Sequence, residues 1–242
     1  MIAGRGLVAL GDSITNGHGE PALGVHPQSW AQWLAEALDV PFLKLATDGA
    51  TAADVLAGQV PRLRAAAGGD AAGAGHFGLV CVYVGVNDAR GVDWEPAAFE
   101  RDLRAIVTAA RGRADRVLLC TLPVDLGRPR AAPKPAQAGA IVRAVAAEAG
   151  DGVAVVVDLD DLAGPPLLLP DAVHPTALGQ LEIAARAAAA LRAAGVTVPR
   201  DPRDLAEVHD SRRAAARHRT RLAVLLARDL RRRAVERVLG VR

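Results

Sequence analysis

Ser13 follows the apolar run Leu7-Val8-Ala9-Leu10 through a Gly11-Asp12 turn. A serine at the carboxyl end of a first buried strand stands where open α/β sheets place their ligands. As a nucleophile it needs a base, and the histidines are 18, 26, 76, 174, 209 and 218. His174 is the best placed. It falls in the loop after the fifth predicted strand, Pro175 holds it in an extended conformation, and Asp171 lies three residues before it. A carboxylate there can accept the ring N–H, fix the tautomer and stabilise the imidazolium formed during attack. A tetrahedral intermediate also needs donors for its oxyanion. The Ser13 N–H at a helix start, the backbone of Gly49 and the side-chain amide of Asn87 supply three.

Each piece has a plainer reading. Gly-Asp-Ser is often an ordinary strand-to-helix turn with a capping serine. Asp171 and His174 could simply precede a helix, and Gly85-Val86-Asn87-Asp88 could cap the segment after it. The chemistry is favoured because all four elements fall at the carboxyl ends of strands one, two, three and five.

Those strands are read from continuous apolar runs: Leu7–Leu10, Phe42–Ala46, Leu79–Val84, Arg116–Thr121 and Val153–Val157. The third is β-branched and polar-free, as the middle of a parallel sheet requires. Helices are expected over Ser29–Leu38, Ala52–Ala67, Glu95–Ala110, Ala138–Ala149 and Ala177–Ala194, with a Gly/Ala linker at Gly68–Gly75 and a Pro/Arg loop at Pro123–Pro135. Strands alternating with helices predict an α/β fold, a doubly wound three-layer α/β/α sandwich on a five-stranded parallel sheet. The first turn lacks Gly-Lys-Ser/Thr, Gly-x-Gly-x-x-Gly and Gly-x-Ser-x-Gly, which excludes a P-loop, a dinucleotide fingerprint and the α/β-hydrolase elbow. Cys81 and Cys120 fall inside predicted strands and read as buried, inert thiols. No Cys/His cluster has zinc spacing, and neither a signal-peptide pattern nor a membrane-spanning stretch is present. The expectation is a cytoplasmic protein.

Taken together the residues resemble the SGNH (GDSL-type) hydrolases. The first block looks like Gly11-Asp12-Ser13-Ile14-Thr15, the second like Leu45-Ala46-Thr47-Asp48-Gly49-Ala50-Thr51, the third like Gly85-Val86-Asn87-Asp88 and the last like Asp171-Ala172-Val173-His174-Pro175. The likeness spans residues 6 to about 194, in family order. It implies a flavodoxin-like sandwich and a serine esterase working through an acyl-enzyme on a small-molecule ester. Ser13 would be the nucleophile, His174 the base and Asp171 its orienter. Ser13, Gly49 and Asn87 would form the oxyanion hole. No metal or cofactor is implied. Thr47 departs from the asparagine many members carry there; Gly49 donates through its backbone, so the site does not depend on it. An acyltransferase with the same triad and a catalytically silent binding module are the alternatives.

The net charge of +2 hides an asymmetry: residues 200–242 carry 13 Arg and 6 acids, a net +7, against −5 for residues 1–199. Pro199 and Pro202 suggest a boundary, with a hydrolase domain over 1–198 and a basic helical extension over 199–242. Leu222, Leu225, Leu226 and Leu230 give the extension a partial apolar stripe. It is read as accessory to catalysis. Packing on the domain or on a second copy is the first expectation, and docking on an acidic partner or membrane surface the second. Nucleic acid is disfavoured by the acidic main domain.

Overall fold

A computed structural model of the chain describes residues 5–68, 75–127, 131–150, 152–209 and 211–238. Most of the expected linker at Gly68–Gly75 and part of the Pro123–Pro135 loop lie outside these residues. Five parallel strands, β1 (Leu7–Gly11), β2 (Phe42–Lys44), β3 (Phe77–Tyr83), β4 (Ala114–Cys120) and β5 (Ala154–Val157), form one sheet in the order β2-β1-β3-β4-β5. This is the strand order of a flavodoxin-like sandwich, the fold that the family resemblance implies.

The apolar runs become strands because both sheet faces are covered. Leu7, Val8, Leu79 and Val80 are fully buried, with Leu7 in register with Leu79 and Val8 with Val80. On one face α2 (Trp30–Leu38) packs against α8 (Ala177–Ala193). On the other, α6 (Pro96–Arg111) packs against α7 (Lys134–Ala149) and α4 (Val60–Ala66). The helix α6 buries Phe99, Leu103, Ile106, Val107 and Ala110, the one-sided stripe that a 3.6-residue period produces. Cys81 and Cys120 are buried free thiols, and burial pushes both well above the ordinary thiol range.

Two local features depart from the sequence reading. The helix expected over 52–67 is α3 (Ala52–Asp54), then a π-helical turn at Val55–Gln59, then α4. The third block does not stay a loop: after Gly85 in the left-handed region, Val86–Arg90 form the short helix α5. The segment after α8 is packed: Val198 and Pro202 are buried, and the 3₁₀ turn Pro202–Leu205 sits on α2 and α8. Beyond it α9 (Arg212–Val238) forms the C-terminal helix. Among the described residues no helix is long and apolar enough to cross a membrane.

The strand order reverses between β1 and β3, and a crevice opens there at their carboxyl ends. Ser13 leaves one side of it and Asn87 the other.

Candidate active site

The turn after β1 is held by close backbone approach and by side chains from distant elements. Gly11 has φ +148°, and a Cβ there would sit 2.2 Å from the Tyr83 carbonyl oxygen, so only glycine lets β1 end this near β3. Asp12 caps α1 (Ser13–Asn16), its Oδ1 accepting the Ile14 N–H at 2.9 Å. The Gln59 carboxamide pairs with the Gly11 peptide in both directions, accepting its N–H at 2.8 Å and donating to its carbonyl at 2.7 Å. Gln180, fully buried on α8, donates to the carbonyls of Ile14 and His18 and accepts the Trp30 N–H. Neither glutamine belongs to a sequence block, and nothing in their local sequence marks them out.

Ser13, only 9% exposed, stands at the first position of α1. Its Oγ lies 3.0 Å from His174 Nε2. His174 Nδ1 in turn lies 2.8 Å from Asp171 Oδ2, and Asp171 Oδ1 accepts the N–H groups of Val173 and His174. Burial alone would raise the Asp171 pKa, but the His174 ring and these two amides outweigh it and hold the carboxyl at about 2. Asp171 is therefore ionised at neutral pH. Accepting Nδ1–H, it leaves the Nε2 lone pair facing Ser13.

A second carboxyl behaves oppositely. Burial pushes Asp12 up to about 7, against the Ile14 N–H and the nearby His174, which lower it. Two carboxyl groups near one imidazole thus have pKa values about five units apart, and the environment assigns the ionised one to the histidine.

Asn87, on α5, donates from Nδ2 to the Ala50 carbonyl at 3.0 Å and to Asp12 Oδ2 at 3.3 Å. Its amide therefore ties the third block to the second and the first. Asp88 accepts the Ala52 N–H at the start of α3, and burial raises its pKa. Gly49 has φ +74°, and a Cβ there would meet nothing within 4 Å; conformation, not space, calls for glycine.

Asp12, Ser13, Val86, Asn87, Arg90, Gly91, Val173 and His174 line an open cleft of about 260 Å³. Gly49 lines a neighbouring hollow of about 440 Å³ with Thr47, Asp48, Asp54 and Arg62. The structure thus brings Ser13, His174 and Asn87 to one cleft, with Asp171 held against the far nitrogen of the His174 ring. It links Gly49 to that cleft through the Ala50–Asn87 hydrogen bond. The segment after the third block contributes Arg90 and Gly91 to the cleft, whereas Trp94 packs on Phe99 and donates to Gln137. His18 approaches from the first loop, its ring centroid 6.0 Å from that of His174 and its Nε2 2.8 Å from Asp48 Oδ2.

A buried serine in hydrogen-bond reach of a histidine oriented by a carboxylate, at the carboxyl edge of a flavodoxin-like sheet, is the arrangement of a serine hydrolase. The sequence matches the GDSL-like lipase/acylhydrolase family over residues 9–181. The chain belongs to that family and is a carboxylic ester hydrolase. No curated protein matches it. Among solved structures it is similar to LAE5, an α/β hydrolase from the metagenome of Lake Arreo, Spain, with 21% identity, a TM-score of 0.61 and 78% and 95% of the two chains covered. It is also similar to the acetylxylan esterase Axe2 of Geobacillus stearothermophilus, crystallised as a catalytic mutant, with 21% identity, a TM-score of 0.62 and 83% and 99% covered. TesA gives 24% identity, a TM-score of 0.60 and 78% and 99% covered. At these identities the likeness to the solved structures speaks for the fold.

Proposed function

We propose that the enzyme hydrolyses its ester through a covalent acyl-enzyme on Ser13. The hydrogen-bonded line from Ser13 Oγ through His174 to Asp171 carries this reading. Ser13 Oγ attacks the carbonyl carbon while Nε2 of His174 takes the hydroxyl proton. The Asp171 carboxylate holds the ring and balances the imidazolium. The oxyanion is received by the Ser13 and Gly49 N–H groups and by Asn87 Nδ2, which gives up its longer contact, that to Asp12. His174 then passes the proton to the leaving alkoxide, and the C–O bond breaks. A water activated by the same nitrogen releases the acid and restores Ser13.

Structures of Axe2 variants are described as catalytic mutants at a serine, an aspartate and a histidine, the aspartate three residues before the histidine. Asp171 and His174 repeat that spacing. A fluorophosphonate probe tests the proposal: one adduct should form, peptide mapping should place it on Ser13, and Ser13→Ala should abolish both labelling and turnover of a chromogenic ester. Labelling at another serine, or full turnover by Ser13→Ala, overturns it.

A further inference from the structure

The helix α9 meets the body along one stripe. Ala214, His218, Leu222, Leu225 and Asp229 recur at three- and four-residue spacing and are buried or half-buried. Arg221 pairs with Glu20, Arg232 pairs with Asp229, and Leu225 and Asp229 border a hollow shared with Leu169, Pro170 and Asp171. The apolar stripe read from the sequence is therefore split: Leu222 and Leu225 face the body, whereas Leu226 and Leu230 do not.

The outward side of α9 is unusual for a solvated helix. Val224, Leu226, Leu230 and Val235 are 45–55% exposed and make up four of the seven exposed large apolar side chains among the described residues. Arginines stand among them, Arg219 and Arg231 exposed. By sequence α9 carries ten arginines against two acids, a net +8 with His218 neutral, on a molecule whose first 199 residues are net −5.

We propose that α9 is an interfacial helix whose outward face docks the enzyme on an anionic lipid surface. The charge asymmetry orients the molecule α9-first toward such a surface, since each arginine there gains while the acidic body is repelled. Leucine and valine side chains between the arginines then have a hydrocarbon boundary to enter. A second copy of the same face fits less well, because it would bring two highly cationic helices together. A nucleic-acid duplex would leave the apolar side chains exposed. Because α9 borders the loop that carries Asp171, docking sets the catalytic edge of the sheet beside the lipid surface.

Sedimentation of the full chain with vesicles is the test, using phosphatidylcholine alone and phosphatidylcholine with about one-third phosphatidylglycerol. The chain should pellet with the anionic vesicles and not with the neutral ones. It should be released at about 1 M salt, where the Debye length falls to ~3 Å. Arg219→Gln with Arg231→Gln should weaken partitioning roughly thirty-fold, taking about 1 kcal/mol per basic residue at the surface. Leu226→Ser with Leu230→Ser should weaken it on the order of tenfold. Neither pair touches the packed stripe, so hydrolysis of a small soluble ester should be unchanged in both. Equal recovery with both vesicle types overturns the proposal. So does pelleting that neither pair reduces, a leucine-dependent dimer in light scattering without vesicle binding, or tighter binding to a duplex oligonucleotide than to anionic vesicles.

Discussion

Asp12 offers the sharpest physical test of the site, because its side chain is deeply buried and its carboxyl is raised from 3.8 to about 7. The groups around it are the Ile14 N–H, the Asn87 amide, the His174 ring, Asp88 and Tyr83. With the folded pKa above the unfolded one, the native state holds a proton that the unfolded chain has released between about pH 4 and pH 7. Stability must then fall as pH rises through that window, by about 1.4 kcal/mol per unit. The rise from 3.8 to about 7 sets a ceiling of about 4 kcal/mol, constant above pH 7. Asp12→Asn removes the titration and keeps an acceptor for the Ile14 N–H, asparagine being as good an N-cap as aspartate. In urea unfolding at several pH values from about 4 to about 8, the variant should gain on the wild type as pH rises and hold its gain beyond about 7. Asp171 is present in both proteins, so its contribution cancels. A gap between the two proteins that stays flat across the window would show that Asp12 titrates as an ordinary surface carboxyl, and the account of its burial would be wrong.

Asp171→Asn should fold but lose on the order of 10³–10⁴ in kcat, because the ring loses the acceptor that selects its tautomer; steady-state kinetics decide it. The same carboxylate, held at about 2, contributes about 2 kcal/mol of stability above pH 4, lost as pH falls towards 2, so acid unfolding of the variant should lack that component. Asn87→Ala should lower kcat by about 10²–10³ with little change in KM, the mark of a donor used mainly in the transition state; a near-normal kcat in a folded variant would leave Asn87 only its ties to Ala50 and Asp12. Gln180→Leu strands two buried backbone groups, the Trp30 N–H and the Ile14 carbonyl, at about 1–3 kcal/mol each, and should lower Tm by about 10 °C; a melting point within a degree or two of the wild type would mean that water or relaxation replaces those bonds.

The parallel sheet was legible because its strands are buried on both faces, so Leu7–Leu10 and Leu79–Val84 had to be continuous apolar runs with no polar interruption. The four blocks were legible because a parallel sheet puts every strand's carboxyl end on one edge, so position along the chain predicts neighbourhood in space. Other features carried no such signal. The helix α5 is a single turn built on residues that equally suit a cap, and its preference is decided by packing of Val86 and Ala89 against the body. The π turn at Val55–Gln59 leaves no periodic trace, since one turn with an extra residue only shifts the phase of a helix. Asp12 read as a turn residue because its unusual proton affinity arises from burial, which local sequence does not encode.

The two glutamines show what else was hidden and why it matters for the site. Gln59 grips the peptide of Gly11, 48 residues away, and Gln180 grips Ile14, 166 residues away. Pairings of that range are set by topology alone. Ser13 lies between those two grips. His174 reaches the cleft from the loop that leads through Thr176, the cap of α8, and Gln180 is the next residue but three on that helix. The Ala177 N–H also bonds to the Glu20 carbonyl, so the start of α8 and the loop after Ser13 are joined at both ends of the same short span. Ser13 and His174 are therefore carried on elements tied directly to each other and do not rely on the sheet alone to set their separation. The 3.0 Å approach of Ser13 to His174 is thus held by bonds between buried backbone groups and a buried carboxamide, which do not compete with solvent.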